Sequence, residues 1–225
     1  MNTKTIYIPC RSKKEVIPAV KSAIEILKNN NFKTVGLITT AQHLHELDNV
    51  KKFLEKNNIN TLIGGQVLGC DQRAAELIEN KIDAFLYIGS GRFHPLGVAV
   101  KTNKPVILCN PYSCECDEIS DDEKQNRKNK QKRRLMRAAA AKTIGILIST
   151  KPGQFNLKLA NELKEKLENI GKSVFLFAGE SINPENVPGF CVDAFINTAC
   201  PRINEDHFEK AVINPGEAGM IWNLK

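Results

Sequence analysis

Short apolar runs rich in β-branched residues alternate with longer amphipathic stretches throughout this chain. The runs are TIYI (5–8), TVGLIT (34–39), AFLYIG (84–89), PVILCN (105–110), TIGILI (143–148), VFLFA (174–178) and AFINTA (194–199). Runs with so little polar interruption suit strands buried on both faces of a parallel sheet. Between them the pattern predicts helices over 13–29, 43–57, 70–80, 121–141, 156–170 and 205–211. Strand–helix alternation implies right-handed βαβ units, so the expected class is α/β.

An internal repeat divides the pattern in two. KTVGLITT (33–40) returns as KTIGILIST (142–150), and DAFLYIGSGR (83–92) returns as DAFINTACPR (193–202), at offsets of 109 and 110 residues. A period of domain size predicts two duplicated α/β lobes, each a small parallel sheet flanked by helices. The polar stretch at 112–134 puts the boundary near 118, giving domains 1–118 and 119–225. Ligands of open α/β sheets bind beyond the carboxyl ends of the strands. That places TTAQH (39–43), GSGRFHP (89–95), STKPGQFN (149–156) and TACPR (198–202) on binding edges. Ser90 is the repeat partner of Cys200, so the turn does not itself require a thiol.

Composition changes this picture little; charge and cysteine change it more. No apolar stretch approaches the roughly 20 residues of a membrane span, and the N-terminus lacks the pattern of a secretory signal. A cytoplasmic protein without a membrane partner is expected. The formal charge of +7 resides in KQNRKNKQKRR (124–134), which holds seven of the 32 basic residues; without it 25 basic residues would face 25 acidic ones. The run is read either as a solvated helix start or as a contact for an acidic or phosphate-bearing partner. A nucleic-acid partner is not expected from so local a feature.

The seven cysteines, at 10, 70, 109, 114, 116, 191 and 200, include no CxxC pair, and a disulfide framework is not expected in a cytosolic chain. Cys70, after GGQVLG (64–69), and Cys200, before Pro201, fall in strand-end turns, where a thiolate can point into a cleft. Small buried residues would also satisfy that spacing. Cys109 and Cys191, in apolar surroundings, read as core thiols, whereas Cys114 and Cys116 sit in a polar loop, open either to metal or to solvent. There is no GxGxxG, P-loop or serine–histidine–acid pattern.

Six strings together resemble one family: VGLITTAQHLHEL (35–47), GGQVLGCD (64–71), DAFLYIGSGRFHPLG (83–97), KPVILCNPY (104–112), KTIGILISTKPGQFN (142–156) and VDAFINTACPRI (192–203). The chain is similar to the diphthamide synthases, 2-(3-amino-3-carboxypropyl)histidine synthases. The resemblance implies three similar α/β domains, each giving one cysteine to a 4Fe–4S cluster. Cys70 and Cys200 match the second-domain and third-domain ligands. It further implies S-adenosylmethionine as cofactor, reductive release of a 3-amino-3-carboxypropyl radical, and a histidine of elongation factor 2 as acceptor. Arg202 is placed for the carboxylate of the methionine moiety. Gln66 and Gln154 are candidates for its other polar groups, and Gly153 for close backbone approach. His94 is read either as a substrate contact or as a satisfied turn residue.

The chain starts at the family's second domain, with IYIPCRSK (6–13), and the first domain with its cysteine is missing from the pattern. A homodimer or heteromer supplying the third ligand is therefore expected. The alternatives are recruitment of Cys10, Cys114 or Cys116, or loss of the cluster to leave a silent partner subunit. A paralogue acting on another acceptor is a further alternative.

Overall fold

A computed structural model describes residues 6, 8–187 and 189–222. The chain forms two compact units, Met1–Asn126 and Arg127–Lys225, each built on its own sheet. Both sheets are predominantly parallel and flanked by helices, so the expected α/β class is what the chain adopts.

The first unit runs α1 (Ile17–Asn29), β1 (Thr34–Thr39), α2 (Leu47–Lys56), β2 (Asn60–Gln66), α3 (Arg73–Glu76), β3 (Ala84–Ile88), α4 (Phe93–Thr102), β4 (Val106–Asn110) and β5 (Glu115–Glu118). The sheet order is β2-β1-β3-β4-β5, with only β5 antiparallel to its neighbour. β3 is buried along its whole length, as a continuous apolar run demands. One face packs Leu37, Leu86 and Ile107 against Val20, Leu27 and Leu54 of the helices. The other packs Phe85, Tyr87 and Val106 against Ala75 and Val98. Asn31, Asn58 and Asn103, all at positive φ, follow the ends of α1, α2 and α4. Asparagine is the residue other than glycine that tolerates this left-handed exit.

The second unit takes in most of α5 (Asp121–Ala140), then β6 (Thr143–Ser149), α6 (Leu157–Asn169), β7 (Ser173–Gly179), β8 (Ala194–Asn197), β9 (Ala211–Ile213) and α7 (Pro215–Trp222). Its four parallel strands are ordered β7-β6-β8-β9. That is the order of the first sheet with its edge strand β5 removed. One face buries Ile144, Ile146 and Ile196 against Leu163, Leu167 and Ala218. The opposite face, around Leu147, Phe195 and Val212, is covered by Val187, Val192 and Phe190, the last stacked on Phe177 at 4.0 Å.

The repeat in the sequence is a repeat of devices. Asp83 accepts from the backbone N–H of Lys33 and Thr34, both at 2.8 Å. Asp193 accepts from Lys142 and Thr143 at 2.9 and 2.8 Å. Each carboxylate ties the start of a central strand to its neighbour, and those N–H donors hold it below the usual carboxylate range. Lys104 and Lys210 donate to the carbonyls of Ile82 and Phe190 at 2.9 and 2.6 Å. Gly36 and Gly145, in the central strands, make room for the rings of Phe85 and Phe195, which the two DAF strings supply.

Several expectations need correction. The helix expected over 205–211 is absent: Pro201–Glu205 forms a 3-10 turn and the chain then enters β9. The polar string NEDHFEK has no apolar stripe to bury, so no helix is stabilised there. The strand expected over 5–8 lies partly outside the described residues, and Ile6 and Ile8 are exposed without regular structure. Cys109 is no free core thiol, because it forms a disulfide with Cys116 across the β4–β5 pair. Cys191 is exposed. Among the described residues no helix is long and apolar enough to cross a membrane.

Candidate functional site

The GGQVLGC string builds a thiol-bearing turn at the carboxyl end of β2. The pairing of β1 with β2 slips between Leu37 and Ile38, where β2 carries an extra residue, and Gly65 takes the left-handed φ of +99° this bulge needs. Val67 then donates to the carbonyl of Thr39 at 2.8 Å, which ends the strand. Leu68 and Asp71 exchange backbone hydrogen bonds at 2.9 and 3.2 Å, so Gly69 and Cys70 form the tip of a closed two-residue loop. Gln72 Nε2 donates to the carbonyl of Leu68 at 3.0 Å. Asp71 accepts from the N–H, Nε and Nη2 of Arg73, which draws its carboxyl down to about 2. Cys70 itself is exposed.

Behind this tip stands the SGRFHPLG segment. A Cβ on Gly69 would sit 1.8 Å from Phe93 Cε1, so the ring fills the space a side chain would need. Gly97 packs in turn on Gln72 Nε2, 3.0 Å from where its own Cβ would stand. Arg92 anchors the start of α4 through Nε and Nη2 to Glu123 at 2.6 and 2.8 Å, and also pairs with Asp117. The guanidinium holds the Glu123 carboxyl below its ordinary range. His94 keeps Nδ1 buried without a hydrogen-bond partner, and burial pushes its imidazole toward the neutral form. Gln66, at the end of β2, is exposed.

In the second unit the segments at the carboxyl ends of β6, β7 and β8 line an open cleft of about 400 Å³. Cys200, Arg202 and Gln154, all expected at a site, line it together. Gly153 neighbours it with φ +78°, a conformation that favours glycine and lets the 150–154 loop turn. Arg202 Nη1 pairs with Asp206 Oδ1 at 3.2 Å, and both side chains remain partly exposed. Ser149, Lys151 and Glu180 add to the polar lining. Sequence reasoning had Ser149 and Lys151 inside a binding-edge string without singling them out, and it missed Glu180 and Asp206. Their only sequence signal was proximity to the strand ends.

It also missed Asn197. This side chain is fully buried and organises the NTACPRI turn. Its Oδ1 accepts from the N–H of Ala199 at 2.9 Å, and its Nδ2 donates to the carbonyl of Cys200 and to Asn204 Oδ1, both at 2.9 Å. Thr198 Oγ1 donates to the carbonyl of Leu147 at 2.8 Å, pinning the same turn to β6. Cys200 enters the 3-10 turn with its thiol partly exposed and outside any disulfide.

Chemically, each unit offers on a strand-end turn a cysteine that is outside any disulfide, a donor type that suits iron–sulfur groups. Among the described residues no group of three or more His, Cys, Asp or Glu side chains gathers for a metal ion. Cys116, engaged with Cys109, is withdrawn from the reserve of possible ligands, whereas Cys10 and Cys114 are free and exposed.

Known proteins are similar over the whole of this arrangement. A family profile described as putative diphthamide synthesis protein matches residues 1–225. The 2-(3-amino-3-carboxypropyl)histidine synthase of Pyrococcus horikoshii is 33% identical over all of this chain and 67% of its own length. The protein of that name from Methanocaldococcus jannaschii is 31% identical, over 95% of this chain and 61% of its own. Subunit 1 of the synthase from Candida glabrata is 31% identical over 76% of this chain and 40% of its own. The crystal structure of Dph2 from Pyrococcus horikoshii with a 4Fe–4S cluster superposes with a TM-score of 0.83 at 32% identity, covering 96% of this chain and 64% of that one. The chain thus spans about two thirds of the length of its archaeal relatives. With every turn-forming string inside one profile match and the fold shared with a solved member, the chain belongs to the diphthamide synthesis protein family.

Proposed function

We propose that Cys70 and Cys200 are two ligands of a 4Fe–4S cluster and that the chain takes part in the first step of diphthamide biosynthesis. In this reading the two units correspond to the family's second and third domains, and a 3-amino-3-carboxypropyl group passes from S-adenosylmethionine to a histidine of elongation factor 2 in the cytoplasm. The observation that carries it is the placement of Cys70 and Cys200, one per unit and both outside any disulfide, each on a strand-end turn that buried or packed neighbours hold from behind. When bound, the reduced cluster supplies the electron that cleaves S-adenosylmethionine and frees the aminocarboxypropyl radical.

The chain's own residues bind and orient. Arg202 gives up Asp206 and takes the methionine carboxylate in a two-pronged hydrogen bond, for which a planar guanidinium is suited. Gln154 and Gln66 meet further polar groups of the cofactor, and the turn at Gly153 allows close backbone approach. His94, whose imidazole burial pushes toward the neutral form, is the candidate substrate contact of the first unit. The third thiolate comes from a second copy or a different chain. A relative that carries the name subunit 1 supports an assembly of this kind.

The test is iron and sulfide content of anaerobically purified protein, alone and with its partner, beside Cys70→Ala and Cys200→Ala. About four irons per site, lost in both variants, is the expected result. Wild-type protein that takes up no iron under either condition refutes the ligand assignment and leaves a silent subunit. Cleaved S-adenosylmethionine with unmodified elongation factor 2 refutes the acceptor.

A further inference from the structure

The basic run at 124–134 is sorted by the helix that carries it. In the second unit Lys128, Lys130, Lys132 and Arg133 of α5 are exposed, whereas Arg127 and Arg134, two turns apart, are partly withdrawn from solvent beside Leu135 and the buried Ala138. These two arginines stand where a helix packed on a sheet ordinarily places apolar side chains.

Their heads meet the segment that follows Cys200. Arg134 Nη1 donates to the carbonyl of Asn204, and Arg127 approaches Glu205 Oε1 at 3.6 Å. One turn further, Arg137 Nη2 donates to the carbonyl of Glu209 at 2.9 Å. The Arg134 guanidinium thus occupies a carbonyl of the short 3-10 turn Pro201–Glu205, while Arg127 meets that turn's last side chain and Arg137 the chain beyond it. From Asn204 the chain of contacts continues inward: its Oδ1 accepts from Asn197, which also holds the Cys200 carbonyl. Asn204 is 5% exposed and Asn197 is 0% exposed, so water offers little replacement for these bonds.

We propose that α5 clamps the Cys200 turn, and that Arg134 and Asn197 are positioning residues that set where the Cys200 thiol points. This rests on the reading of Cys200 as a cluster ligand, and it assigns part of the basic run an inward task in place of a nucleic-acid surface. Partners behind a ligand commonly tune the group it holds, through orientation and local polarity.

The test uses the full chain with Arg134→Met, Arg134→Lys and Asn197→Ser, and with the solvent-facing control Lys130→Met. In the apo protein, iodoacetamide alkylation of Cys200 is followed by mass spectrometry against Cys70 in the same sample. In the loaded protein, the midpoint potential and the rate of iron loss are measured. Arg134→Met and Asn197→Ser are expected to change the Cys200-to-Cys70 rate ratio about tenfold, the effect of one charge-assisted or buried hydrogen bond. They are expected to shift the potential and hasten iron loss as well. Arg134→Lys recovers part of each change, and Lys130→Met leaves all three readings at wild type. An unchanged ratio and potential in the first two variants overturns the proposal. So does an equal change in Lys130→Met, or a lowered melting temperature with no other change. If the wild-type chain takes up no iron, the ligand reading fails, yet the alkylation ratio still decides whether the clamp exists.

Discussion

Gly69→Ala is the sharpest probe of the Cys70 turn. The new methyl carbon would lie 1.8 Å from Phe93 Cε1 and 2.4 Å from Cδ1 and Cζ. Ordinary carbon contacts need about 3.5–4.0 Å, so the ring or the turn has to move by roughly 2 Å. Phe93 opens α4 and its ring meets His94 edge-on at 5.4 Å, which limits how far it can swing. Relief of such overpacking costs typically about 1–3 kcal/mol of stability, which a folded domain survives. A metal ligand tolerates far less displacement: a constellation has to be held within about 0.5 Å to work. The variant should therefore fold, with a modestly lower urea midpoint, and yet retain little iron. Phe93→Ala in the same chain removes the obstruction and should restore a large part of the iron content. Iron assays and the electron paramagnetic resonance of the reduced protein check both. A Gly69→Ala protein with wild-type iron content and signal would refute the claim that Phe93 sets the Cys70 turn.

Three further outcomes follow from the packing. Gly145→Ala drives its methyl group onto the ring carbons of Phe195 and Phe177 at 2.6–2.8 Å, whereas Gly36→Ala meets chiefly the flexible ends of Ile82 and Ile78 at 2.7 and 2.8 Å. The first should cost about 2 kcal/mol and the second about 1 kcal/mol or less in urea unfolding, and a reversed order would contradict the assignment. His43 and His94 have their pKa values lowered by burial, and His45 lowers that of His43 further while Glu46 opposes it. The unfolded chain thus binds protons first, so stability is complete above about pH 6.5 and declines as pH falls through that value toward the lowered ones. His43→Leu should flatten this decline between pH 7 and pH 5, roughly, and an unchanged slope would show that His43 does not drive it. Arg92→Gln breaks the half-exposed network to Glu123 and Asp117 and should cost about 1 kcal/mol at low salt and less at high salt, read from urea midpoints.

The central strands were legible because burial on both faces leaves an unbroken apolar run, as in AFLYI and TIGILIS. What escaped was whatever lacks that signature. β2, with its edge position, two glycines and mixed burial, shows no run at all. β5 is three acidic residues and Cys116, recruited by pairing with β4, and β9 has only three residues. α4 carries Pro95 and Gly97 and reads as a turn, yet the proline falls in its first turn, where no N–H bond is lost. α7 likewise opens on Pro215.

The sequence by itself determined the α/β class, the duplication and the two turn cysteines, because burial period and motif spacing are local or repeated along the chain. Residues 33–40 and 142–150 could be aligned without knowing what they touch. Only the tertiary structure decided that Cys109 joins Cys116, that Arg202 meets Asp206, and that Asn197 and the arginines of α5 stand behind Cys200. Arg134 reaches the carbonyl of Asn204 across 70 residues of chain. A charge run has the same composition whether its guanidinium groups face water or a buried carbonyl, and only packing of the helix on its sheet chooses between them.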